Sequence, residues 1–194
     1  MKTVFFDVDT QLDFLLPAGA LYAPGAERVI PALRTLTQFA AKNRITIVST
    51  ADAHTENDIE FHIWRPHCVI DTAGQAKEQG TLVPGNVVID RAAEELPEMA
   101  ALQFIVEKSV LDVFESRNLV RVLDAIPADR FVLYGVVTEI CVASAAIGLL
   151  RRGARVELVT DAIKSFDDSA ASKFLERFAA LGGTLTSVSS IVAS

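Results

Sequence analysis

Of the two cysteines in this 194-residue sequence, Cys141 has the surroundings of a nucleophile. It ends the run Gly135-Val136-Val137-Thr138-Glu139-Ile140-Cys141, which follows the most apolar strand-like stretch and opens a helical pattern. A thiol there feels the positive end of the helix dipole and free backbone N–H groups, which favour thiolate. A nearby lysine would lower its pKa further, and a carboxylate could accept its proton. The same N–H groups could hold the oxyanion of a tetrahedral intermediate. Asp9 and Lys108 each stand just after another apolar run, so base, cation and nucleophile can meet if those runs are neighbouring strands.

A second set of residues could hold a metal. All three histidines, His54, His62 and His67, fall in one stretch, together with Asp52. Carboxylate and neutral imidazole are ordinary ligands for Zn²⁺ and similar ions. On an extended segment the Asp52-x-His54 spacing puts both side chains on one side. A third ligand from His67 would leave positions open for water or substrate.

Each residue also has an ordinary role. Cysteine is among the most buried residue types, and strand-end aspartates are common turn formers. A lysine after a strand is often a solvated cap, and loop histidines are often surface residues. A rival chemistry stands in the same place. Asp7-Val8-Asp9-Thr10, with Ser49-Thr50 and Asp167-Asp168, resembles the haloacid-dehalogenase phosphatases, with Asp7 attacking phosphorus and Mg²⁺ required. That reading gives Gln11, Asp13, Phe14, Cys141 and the Asp52–His54 pair no purpose. A third reading is a non-catalytic scaffold of the same fold.

The elements that would position these groups alternate. Thr3–Val8, 45–49, Val87–Ile89, 104–107, 131–137, 155–159 and 184–188 read as strands. Residues 26–42, 119–126, 140–151 and 170–181 have helical period, with Gly153 and Gly182-Gly183 as stops. This alternation predicts a Rossmann-like three-layer α/β/α fold with a mostly parallel central sheet, as one domain over 1–194. In such sheets ligands bind beyond the carboxyl ends of the strands, where the candidate residues lie.

Composition narrows the partners. The chain is 51% hydrophobic, ample for a core, and carries a net charge of −7 with scattered basic residues. Nucleic acid is not an expected partner, since phosphate binding needs a concentrated Lys/Arg footprint. The apolar N-terminal run is too short for a signal peptide or membrane span, so no membrane partner and a cytoplasmic location are expected. There both cysteines would be free thiols.

Together these segments resemble the isochorismatase-like cysteine hydrolases, which include nicotinamidases. The likeness runs over nearly the whole chain, through Asp9-Thr10-Gln11-Leu12-Asp13-Phe14, through Lys108 at a strand end, and most specifically through Gly135 to Cys141. The resemblance implies an Asp9–Lys108–Cys141 triad. It also implies a cis peptide at Val136-Val137, with Val137 and Cys141 N–H groups as oxyanion hole. Nicotinamidases bind a metal through residues matching Asp52, His54 and His67. A further family histidine is missing, and Asp58 stands closest to its place, while His62 lies later. The resemblance implies a divalent metal, zinc by donor type, which isochorismatases manage without. Phe14 and Trp64 match positions that sandwich a planar substrate. The segment from Ser109 to Phe114 lacks the Gly- and Tyr/Ser-rich loop that nicotinamidases often carry. The resemblance thus implies a homo-oligomer hydrolysing a small amide, nicotinamide first, with carbamoyl or vinyl-ether substrates as the alternatives within the family.

Overall fold

The computed structural model describes residues 2–193. Seven strands form one sheet: β1 Thr3–Val8, β2 Thr46–Asp52, β3 Val87–Ile89, β4 Gln103–Lys108, β5 Arg130–Val136, β6 Arg155–Lys164 and β7 Thr184–Thr186. Their spatial order is β3-β4-β2-β1-β5-β6-β7, and every pairing is parallel. The chain therefore fills one side of β1 first, with β4 inserted between β2 and the edge strand β3, and then crosses to the other side. Crevices at such a reversal, at the carboxyl ends of the strands, are where α/β sheets hold ligands.

Among the described residues there are six α-helices: α1 Leu12–Leu15, α2 Ile30–Lys42, α3 Arg117–Ala125, α4 Ala143–Arg151, α5 Asp168–Ala180 and α6 Val188–Val192. Alternate residues of β1 point to opposite faces, as the pleat requires. Val4, Phe6 and Val8 pack with Leu119, Val122, Leu149 and Phe178 of α3, α4 and α5. Phe5 packs on the other face with Leu33, Leu36 and Ala40 of α2 and Ile191 of α6. Burial on both faces explains why β1 reads as a continuous apolar run. The result is three layers.

Several boundaries differ from the sequence expectation, each for a local reason. The helix expected over 26–42 starts as a 3-10 turn, Ala26–Val29, and becomes α-helical at Ile30, with Pro31 in the first turn where no donor is needed. The helix expected from 140 begins as a π-helical turn, Thr138–Val142, so Cys141 lies in that turn and α4 starts at Ala143. β2 runs three residues past Ser49 because its polar residues have partners inside the sheet: Ser49 donates to Asp7 at 2.9 Å and Thr50 to Asp9 at 2.6 Å. β6 continues to Lys164 beyond exposed Thr160 and Asp161, which interrupt its apolar pattern. β7 stops at Thr186. Ser187 instead caps α6, accepting from the Ser190 N–H, and a five-residue helix is too short to show a period.

Gly135 is required where it stands. Its φ is +122°, and a Cβ there would lie 2.1 Å from the Val8 carbonyl oxygen, so only glycine lets β5 run beside the end of β1.

Candidate active site

Three of the polar side chains that follow β1, Asp9, Gln11 and Asp13, each do something different. Asp9 sits at positive φ, +47°, a conformation open to few residues other than glycine, asparagine and aspartate. Its amide donates to the Thr50 carbonyl at 3.2 Å, and its Oδ1 accepts from the Thr50 hydroxyl. Gln11 grips the end of β2. Its Nε2 donates to the Asp52 carbonyl at 2.8 Å, while its Oε1 accepts from the Asp52 N–H at 2.7 Å. Asp13 accepts from the N–H groups of Ala20 and Cys68, at 2.8 and 2.7 Å. It thereby ties the segment holding Trp64 and His67 to α1.

Lys108 ends β4 directly opposite Asp52 in the β2–β4 register. Its ammonium hydrogen-bonds Asp52 Oδ1, stands 3.0 Å from Asp9 Oδ2 and donates to Cys141 Sγ at 3.9 Å. Asp9, Lys108 and Cys141 are 0%, 2% and 7% exposed, so these contacts act with little screening by water. The Val136–Val137 peptide is cis, and the N–H groups of Ile140 and Val142 both donate to the Val137 carbonyl at 3.1 Å.

The electrostatics differ from the sequence expectation of a thiolate. Burial pushes the Cys141 thiol well above its usual range; Lys108 pulls it down, and Asp9 and Asp52 push it up again. Burial also raises Asp9, against the pull of Lys108 and with Asp52 adding to the rise. Burial works against the Lys108 ammonium too, but Asp52 and Asp9 outweigh it and keep the lysine charged. Burial outweighs the ammonium at both groups, so the Cys141 thiol and the Asp9 carboxyl each hold a proton more tightly than they would in water.

Asp52 belongs to two groups at once. Its Oδ2 lies 3.9 Å from His54 Nε2 and 3.7 Å from His67 Nε2, and donor atoms of the three residues fall within 4.8 Å of one another. Glu60 faces the same centre, 4.0 Å from His54 Nε2 and 3.9 Å from His67 Nε2. Asp58 does not; it lies 3.2 Å from Nδ1 of His54, on the far side of the ring. His67 Nδ1 is 2.7 Å from the Arg65 carbonyl, which fixes that nitrogen as donor and leaves Nε2 free to ligate. His54 Nε2 is fully buried and has no hydrogen-bond partner. A buried imidazole nitrogen without a partner, facing carboxylates and a second imidazole, fits a divalent cation. His62 is exposed and is not among the donors that meet there.

A small pocket opens above Cys141, lined by Phe14, Trp64, Leu111, Val137, Ile140 and Phe166 and bordered by Asp52, Glu60 and His67. Phe14 is 4% exposed and meets the His67 ring edge-on at 5.3 Å. Cys68 is fully buried, and burial followed by the surrounding carboxylates pushes its thiol far up, which makes it inert packing. Sequence reasoning missed Glu60, the clamp role of Gln11, and Phe166. Glu60 lies between the two ligand segments and seven residues before His67, but only the fold shows which of the three acids there, Glu56, Asp58 and Glu60, turns inward.

Comparison with known proteins defines the class: the chain belongs to the isochorismatase domain family, which matches residues 3–190. The nicotinamidase of Saccharomyces cerevisiae is 23% identical over 203 residues, covering 87% of this chain and 90% of that protein. The Pyrococcus horikoshii pyrazinamidase solved in complex with zinc is 27% identical, with a TM-score of 0.79 over 96% of this chain and 99% of that one. The pyrazinamidase/nicotinamidase of Streptococcus mutans is 25% identical, with a TM-score of 0.80 over 95% and 100%. Membership overturns the phosphatase alternative, and so does the place of Asp7. That residue is fully buried, with Lys77 and Ser49 each 2.9 Å from its Oδ2, while Asp167 and Asp168 serve the start of α5. Among the described residues no helix is long and apolar enough to cross a membrane.

Proposed function

We propose that this chain hydrolyses a small amide through Cys141, with a pyridine or pyrazine carboxamide such as nicotinamide as substrate. The observation that carries the reading is the position of one ammonium, Lys108, against Asp9, Asp52 and the Cys141 sulfur together. The names of the relatives, nicotinamidase and pyrazinamidase, support the substrate class.

In this mechanism Asp9 takes the thiol proton as Cys141 Sγ attacks the carbonyl carbon. The N–H groups of Val137 and Cys141 hold the resulting oxyanion. Collapse breaks the C–N bond, and Asp9 returns the proton to the departing ammonia, leaving a thioester. Asp9 then removes a proton from water as it attacks the thioester, and the acid leaves with the thiol restored. Lys108 stays charged throughout and offsets the negative charge passed between Asp9 and the sulfur. Phe14 and Trp64 pack against the planar acyl group.

Asp52, His54 and His67, with Glu60 as the fourth donor, would hold a divalent ion. Zinc suits this nitrogen and oxygen set, and its presence in the Pyrococcus horikoshii complex supports it. Once bound, the ion supplies positive charge beside a carboxylate-rich site and a Lewis acid for a substrate nitrogen.

The test is ammonia release from a panel of nicotinamide, pyrazinamide and carbamoyl compounds, run with Cys141→Ala and Cys68→Ala. Nicotinamide or pyrazinamide should be cleaved by the Cys68→Ala protein and not by the Cys141→Ala protein. Release from none of the panel, or an active Cys141→Ala protein, removes the reading.

A further inference from the structure

Two open spaces lie on either side of three side chains. The inner one, over Cys141, is narrow, while the outer cleft, lined by Pro17, Tyr22, Pro24 and Arg65, is wider. Leu21, Trp64 and Phe166 line both. An amide that comes to the sulfur from the outer cleft must pass this partition. Its aromatic part is a stacked pair, Trp64 on Phe166, with ring centroids 5.8 Å apart and planes inclined by 27°.

The two rings are held differently. Phe166 lies in the link between β6 and α5, and its backbone is fastened at two points. Glu139 Oε1 accepts from the N–H of Phe166 at 2.9 Å and from that of Asp167 at 2.8 Å. Asp167 in turn caps α5 through the N–H groups of Ser169 and Ala170. Glu139 belongs to the same π-helical turn as Cys141, so the wall that carries Phe166 is fixed to the nucleophile's own backbone. Trp64 rides on a turn between Glu60 and His67, and its buried indole N–H has no hydrogen-bond partner. Its neighbour Ile63 is 75% exposed.

We propose that Phe166 is the specificity-determining residue of this pocket, a fixed wall against which Trp64 opens, and that Glu139 is the positioning residue that sets its distance from Cys141. Planar amides pass between the two rings as Trp64 moves off the Phe166 face, and amides with bulk out of the plane are turned away. The inference rests on the reading that substrate reaches Cys141, but its test reads access to the sulfur and not turnover.

In a Cys68→Ala background, Cys141 is alkylated with a small reagent, iodoacetamide, and with a bulky one, N-phenylmaleimide, and the ratio of the two rates is recorded. Phe166→Ala should raise the bulky-to-small ratio about tenfold or more, the scale on which pockets discriminate by size. Phe166→Leu should fall between, and it carries the test if the alanine variant melts early. Glu139→Ala should raise the ratio as well. Glu139→Gln should stay within about twofold of the parent, because the amide oxygen can still accept from both N–H groups. A ratio unchanged in a folded Phe166 variant overturns the proposal, as does a Glu139→Gln protein that behaves like Glu139→Ala. If the ratios move as expected while no amide is cleaved, the wall stands and the amide reading falls.

Discussion

Asp52 and Lys108 face each other across the β2–β4 ladder, and Asp52 divides its carboxylate between that lysine and the two histidines. Burial acts against the Asp52 anion, yet Lys108 and then His54 and His67 hold it well below the usual carboxylate range. One carboxylate thus couples the cysteine's environment to the candidate metal centre. A cation bound at Oδ2 would draw charge from the oxygen that Lys108 uses, so changes on either side should be felt on the other.

Removing the nucleophile should separate chemistry from folding. Cys141→Ala is expected to lower kcat by about 10⁴-fold or more, the scale seen when an enzyme loses its nucleophile. Its melting temperature should stay close to the parent's. Rate assays beside a thermal melt decide this, and residual turnover above background would move the nucleophile elsewhere.

The donor set predicts an order of metal loss. His67→Ala and Glu60→Gln should each weaken binding of a divalent ion by about tenfold or more, whereas Asp58→Ala, which only orients His54, should do less. Elemental analysis after dialysis, and titration with Zn²⁺ alone, would show it. Equal retention in all three proteins would mean that the centre is an ordinary polar cluster.

Gln11 predicts a stability effect with little chemistry of its own. Gln11→Ala leaves the buried Asp52 N–H and carbonyl without their side-chain partners, which should cost about 1–3 kcal/mol. For a chain of this size that is roughly 2–4 °C of melting temperature per kcal/mol. Glutamate at the same site should be worse, because it would turn an anion on the carbonyls of Asp52 and Gln75 that Nε2 now serves. Thermal melts of the two variants beside the parent check both the size and the order.

The β5–β6 pairing predicts a pH dependence. Glu157 accepts two bonds from Arg130, at 2.9 and 2.5 Å, and also pairs with Arg155 at 2.9 Å. Arg130 holds the carboxyl below its usual range against the effect of burial, and Arg155 adds to the pull. A depressed folded-state pKa stabilises above the unfolded value, about 4.3, and that contribution disappears as pH falls through the folded value. Glu157→Gln should therefore cost about 1 kcal/mol at pH 7 and progressively less below pH 4. Thermal melts of both proteins across that range should converge on the acid side. A gap that persists unchanged to pH 2 would show that packing, and not charge, holds the pair.

Much of the site is legible in the sequence because it is built at strand ends. An apolar run closed by Asp9, another by Lys108 and a third leading to Cys141 mark positions whose polarity has no purpose in a core. The fold is legible in the alternation of period. The hidden part depends on contacts between distant segments. Nothing near Glu60 tells it from Asp58, since the choice is made by which way a 3-10 turn, Ile59–His62, faces the histidines. Phe166 reads as a loop aromatic until Glu139 is seen to hold its backbone. The expectation of a lowered thiol pKa at Cys141 leaves out burial, the largest influence on it, because a sequence shows neighbouring charges but not burial.

The order of the strands also sets a schedule for biosynthesis. β1 is central, flanked by β2 and β5, and β5 begins only at Arg130. At ribosomal rates of about 5–20 residues per second, β1 leaves the ribosome on the order of ten seconds before its second neighbour exists. Through that interval the stretch from Val4 to Val8 has an open flank, a template for pairing with another nascent chain. Asp9 and Cys141 cannot meet until the interval ends, so no half-made chain carries the assembled centre. Aggregation of fragments truncated before Arg130 is the expected consequence of seating β1 between two strands made so far apart in the chain.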